Sequence, residues 1–89
     1  MNLRLVAIYL DPSQFEYILS INQGFLQENF NFKFEYYDSE SDFSKRHQVN
    51  SYPTFFLLKN NSIANIIEGK IPFPELKERI SSINYVCKL

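Results

Sequence analysis

Two runs in this chain are apolar at nearly every position, Leu3 to Leu10 (LRLVAIYL) and Thr54 to Leu58 (TFFLL). A half-exposed strand alternates apolar and polar residues, so unbroken runs of this kind belong to strands covered on both faces. Two such strands call for a sheet with helices on each side, which points to an α/β architecture. At 89 residues the chain makes one domain, 1–89, whose core must be filled efficiently. Nine Phe and six Tyr provide the large side chains for it.

The remaining segments give the element order. Asp11-Pro12-Ser13-Gln14 has the form of a helix start: an Asp cap, Pro at the first helical position and a Gln placed to close a capping box. Phe15, Ile18, Leu19, Phe25 and Leu26 then recur at helical spacing to about residue 29, with Gly24 as a weak point costing ~1 kcal/mol relative to Ala. From Asn31 the period becomes two, with Phe32, Phe34 and Tyr36 on one face and Lys33, Glu35 and Tyr37 on the other, which marks a more peripheral strand. Asp38 to Gln48 is short and polar apart from Phe43, with His47, the single histidine, four residues on, and reads as a surface helix of one or two turns. Asn60-Asn61 is a turn that tolerates positive φ and returns the chain as a hairpin over Ile63 to Glu68, ended by Gly69. Pro72 and Pro74 mark the start of a last helix, whose apolar stripe is Phe73, Leu76, Ile80, Ile83 and Cys87, with Lys77, Glu78 and Arg79 toward water. The order β-α-β-α-β-β-α predicts a four-stranded mixed sheet, parallel where helices intervene and antiparallel across the Asn-Asn turn.

Composition removes several functions. Nine Lys plus Arg against ten Asp plus Glu, a net charge of −1 and no basic run leave no electrostatic footprint for nucleic acid. The first apolar run is too short to span a bilayer and lacks a small-residue cleavage site, so a soluble, cytoplasmic protein without a membrane partner is expected. Cys87 alone cannot form an intramolecular disulfide, and two-cysteine zinc and redox motifs are excluded. Its place on the helical stripe makes it a small buried hydrophobe. No cofactor or metal is expected.

Val49-Asn50-Ser51-Tyr52-Pro53-Thr54, the apolar strand leading to Lys59-Asn60-Asn61, Gly69, and Glu75-Leu76-Lys77-Glu78 resemble the C-terminal half of thioredoxins, without a gap from Val49 to Ile80. Ser51 and Asn61 stand where that family carries glycines. The resemblance implies a minimal thioredoxin-like fold and a cis bond at Tyr52-Pro53; a trans proline opening a strand is the alternative. It also implies that Asp11 and Gln14 replace the two cysteines of the family's Cys-X-X-Cys, so that the helix start survives as a structural device without its thiol nucleophile. The implied binding groove runs between Asp11, Pro12, Ser13 and Gln14, the segment Tyr52, Pro53 and Thr54, and Gly69 with Lys70, with Tyr52 as an aromatic anchor. Three functions follow from it. The first is a redox-inactive adaptor that holds a protein or an extended peptide in the groove. The second is a thiol- or glutathione-dependent enzyme using Ser13 or Cys87, and the third an accessory subunit of a larger complex.

Overall fold

The computed structural model describes residues 3–30 and 32–88, with side chains through Ser81. In chain order the elements are β1 (Leu3–Tyr9), α1 (Pro12–Gln27), β2 (Lys33–Asp38), α2 (Asp42–Arg46), β3 (Thr54–Lys59), β4 (Ser62–Glu68) and α3 (Phe73–Lys88). They form one mixed sheet in the order β2-β1-β3-β4. The two apolar runs are its central strands, and successive residues on each face opposite layers. Leu3, Leu5, Ala7, Phe55 and Leu57 meet Ile18, Ile21 and Phe25 of α1 and Leu76 and Ile80 of α3. On the other face Val6, Ile8, Phe56 and Leu58 pack with Phe43 of α2, Val49 and Tyr52.

One pairing differs from the sequence expectation. β2 runs parallel to β1, but β3, which follows α2, pairs with β1 in the antiparallel sense. A parallel return needs a helix about as long as the strand it recrosses. α2 has five residues, about 8 Å of rise, so the chain crosses the end of β1 and enters β3 from the same side.

Local chemistry sets the boundaries. Asn29 adopts φ +60°, with Asn29 N–H donating to Leu26 O and Phe30 N–H to Phe25 O, a Schellman close that brings the Phe30 ring onto Phe25. α2 ends the same way through Gln48 at φ +53°, with Val49 N–H donating to Ser44 O, and is a short helix within the polar stretch, as expected. Asn60 and Asn61 both take positive φ, as a type I′ hairpin turn requires. Pro74 lies inside α3, in the first turn, where its missing N–H costs nothing. Ile83 and Cys87, expected on the apolar stripe of α3, lie outside the residues whose side chains are described, and Asn31 lies outside the described residues altogether.

Gly24 has a different role from the weak point expected. A Cβ built there would lie 2.8 Å from the Phe73 ring, so the absence of a side chain lets α3 approach α1. Helix propensity favours a substitution at this position and overpacking opposes it. Gly24→Val, which is both bulky and β-branched, is expected to lower unfolding free energy by about 1–3 kcal/mol in a denaturant titration.

On the α2 face, Arg4 grips Glu35 across β1 and β2 through two hydrogen bonds of 2.6 and 3.0 Å, and Tyr37 Oη–H donates to Glu35 Oε1 at 2.7 Å. The hydrogen bond from Arg4 holds the Glu35 carboxyl below the ordinary glutamate value of 4.5, against the opposing effect of burial. A depressed folded-state value adds stability that is present above the unfolded-state value and is lost as pH falls through the folded one. Arg4→Met is therefore expected to cost about 1 kcal/mol at neutral pH and to flatten this part of the acid limb, measured by urea unfolding across the acidic range.

Candidate functional site

The C-terminal end of β1, the start of α1, the loop before β3 and the segment after β4 converge at one end of the sheet. α1 begins there because Asp11, in an extended conformation, accepts the Gln14 N–H at 3.1 Å and Pro12 supplies a preset helical φ. Ser13 Oγ–H donates to the same Asp11 oxygen at 2.8 Å. These two donors, the hydroxyl foremost, lower the Asp11 pKa, so the carboxylate is anionic at neutral pH. Asp11, Pro12 and Ser13 are all exposed.

Gln14 departs from the expected capping box. Its Oε1 accepts from the N–H of Leu10, one residue before the cap, at 2.7 Å, and its Nε2 donates to Tyr52 O at 3.4 Å. The amide thus ties the end of β1 to the opposite wall of the site. The Tyr52-Pro53 peptide is cis, as the resemblance implied.

Two side chains of the expected groove turn away from it. Tyr52 packs against the cluster of Val6, Ile8, Phe56 and Leu58 on the α2 face, and its hydroxyl donates to Val49 O at 2.9 Å. It is not the aromatic anchor expected, because the apolar ring finds a better-buried place in the second core. Thr54 is 2% exposed and donates to Ser51 O, so it braces the loop from within. Pro53 is buried as well, and what this wall offers at the site is backbone.

The third wall is Gly69-Lys70-Ile71. Gly69 takes φ +93°, a region that L side chains rarely adopt, and its N–H donates to Pro53 O at 2.8 Å, linking this wall to the cis-proline loop. Tyr17, one turn along α1 from Gln14, reaches the same wall. Its hydroxyl donates to Ile71 O at 2.6 Å and accepts from Ile71 N–H at 3.2 Å. The Lys70 ammonium lies 5.3 Å from the Tyr17 ring centroid. Burial raises the Tyr17 pKa, with the Ile71 hydrogen bond opposing it. No motif marks Tyr17, although a tyrosine beside Ile18 and Ile21 on a core-facing helix signals a hydroxyl that needs a partner.

Solved structures with this architecture decide the fold. A malarial protein superposes with a TM-score of 0.75 at 15% identity, over 92% of this chain and 97% of that one. A reduced thioredoxin pre-protein of Schistosoma mansoni superposes at 0.74 and 17% identity, over 91% of this chain and 78% of that one. The chain has a thioredoxin-like fold. No protein-family model matches the sequence, and no curated protein matches it. The likeness therefore concerns architecture, and the chemistry of this thioredoxin-like domain must be argued from its own residues.

Those residues constrain it. His47, whose Nδ1 lies 3.0 Å from Phe43 O, stacks on Phe43 in the second core, on the face away from α1. Among the described residues no three His, Cys, Asp or Glu side chains converge as metal ligands. No helix among them is long and apolar enough to cross a membrane.

Proposed function

We propose that this is a redox-inactive, thioredoxin-like adaptor of the cytoplasm that holds an extended protein segment in the groove between Asp11-Pro12-Ser13, the Tyr52-Pro53 backbone and Gly69-Lys70. The observation that carries this reading is a braced backbone wall set between two exposed charges of opposite sign. Tyr52 precedes β3, so its peptide groups lie outside the sheet's own ladder and suit an added strand. Its carbonyl has two lone pairs, and the 3.4 Å contact from Gln14 leaves one for an incoming N–H. Asp11 is held anionic on one side, and on the other Lys70 has no carboxylate partner among the described residues. Both charges are available to a partner of complementary pattern.

Dithiol exchange requires two thiols, and the chain has one cysteine. A Ser13 nucleophile is equally ill served, since its hydroxyl hydrogen bonds to a carboxylate whose depressed pKa makes it a weak base. Selection of short linear peptides from a displayed library tests the adaptor reading. Peptides retained by wild type and released by Asp11→Arg with Lys70→Glu support it. Retention by both proteins, or turnover of a thiol or glutathione substrate above buffer, overturns it.

A second reading, an accessory subunit, is favoured by Ile63 and Ile66. They are 44% and 49% exposed on β4 and lie opposite Leu58 and Phe56, so they belong to the α2 face. An assembly lost on Ile63→Lys with Ile66→Lys, with peptide binding intact, would place the function on that face.

A further inference from the structure

α1 fastens both walls of the groove from behind. Gln14 and Tyr17, three residues apart on one helix face, reach different loops: Gln14 contacts Tyr52 O, and Tyr17 contacts both peptide groups of Ile71. Tyr17 is itself fixed, since its ring meets the buried Phe55 edge-on at 6.1 Å. A hydroxyl that donates to the carbonyl and accepts from the N–H of the same residue fixes that residue's backbone more firmly than one bond would. Lys70 immediately precedes it. The lysine side chain, which elsewhere samples many rotamers, here has its ammonium over the ring of that tyrosine.

We propose that Tyr17 is the positioning residue of the groove, bracing the Gly69-Lys70-Ile71 wall and holding the Lys70 ammonium where it selects a bound segment carrying an acidic side chain. The choice of an acidic segment rests on the groove reading above; the bracing of the wall does not. The hydroxyl fixes the backbone, and the ring restricts the ammonium. Both lower the entropy lost when a carboxylate is bound, so the preference for acid depends on Tyr17 as well as on the charge of Lys70.

Two variants separate these parts: Tyr17→Phe keeps the ring and removes the clamp, and Tyr17→Leu removes both. Amide exchange in the free protein is expected to speed up at Ile71 by about three- to tenfold in Tyr17→Phe, with amides of β1 and β3 unchanged. Unchanged exchange at Ile71 overturns the bracing role, and a uniform rise across the sheet shows a merely structural one. Binding is read with three synthetic peptide pools of random sequence whose central residue is fixed as Glu, Gln or Lys. Wild type is expected to favour the Glu pool severalfold over the Gln pool, Tyr17→Phe to show a reduced preference, and Tyr17→Leu and Lys70→Met to show none. Full preference in Tyr17→Leu overturns the selective role of Tyr17. If no pool binds wild type, the groove reading and the acidic selection fall together, and exchange at Ile71 still decides the bracing.

Discussion

Phe25→Ala is expected to lower unfolding free energy by about 3–5 kcal/mol, the largest stability loss from any single truncation considered. Phe25 is 2% exposed and is the hub of an aromatic cluster, with ring centroids 4.9 Å from Phe30, 5.1 Å from Phe32 and 4.9 Å from Phe73. It joins the close of α1, the entry to β2 and the start of α3, so its loss opens a cavity that three segments line. A domain of 89 residues has a total stability of roughly 5–13 kcal/mol, and the variant is expected to melt at least ~12 °C lower or to remain partly unfolded. Leu26→Ala, the next residue on the same helix but 62% exposed, is expected to stay within about 0.5 kcal/mol of wild type and serves as the control.

Tyr52→Ala is expected to cost about 2–3 kcal/mol, through lost packing on the second core and a lost hydrogen bond to Val49 O. Tyr52→Phe, which loses only that bond, is expected to cost about 1 kcal/mol. Because the ring faces the α2 layer, Tyr52→Phe is also expected to bind groove peptides as wild type does. A weakened affinity in the Phe variant, at equal folded fraction, would restore Tyr52 as a groove contact. Urea titration and fluorescence anisotropy measure the two effects.

The features that sequence reading recovered are those in which one residue type has one main structural use. Asp11-Pro12 starts a helix, Asn60-Asn61 makes a primed turn, and the unbroken apolar runs become central strands between two layers. The features it missed depend on geometry that spacing does not encode. The direction of β3 follows from where so short a helix as α2 leaves the chain, at the end of β1, and element order alone does not give that position. The side to which Tyr52 turns depends on which core has room for its ring, and Gly24 matters because of Phe73, distant in sequence. The helix start at Asp11-Pro12 is a local pattern and the rest of the groove an implication of the thioredoxin resemblance, whereas neither points to Tyr17, whose partner lies 54 residues away.

The adaptor role turns on whether an extended segment occupies the groove at the start of α1. The most direct measurement is amide shift mapping of the protein with a peptide taken from the displayed-library selection, repeated on Asp11→Arg with Lys70→Glu. Exposed ion pairs contribute modestly one by one, and reversing both charges is expected to weaken binding about tenfold. The account predicts perturbations concentrated at residues 10–14, 51–53 and 69–71, together with that loss. Perturbations on β4 around Ile63 and Ile66, with affinity unchanged in the charge-reversed protein, would contradict it.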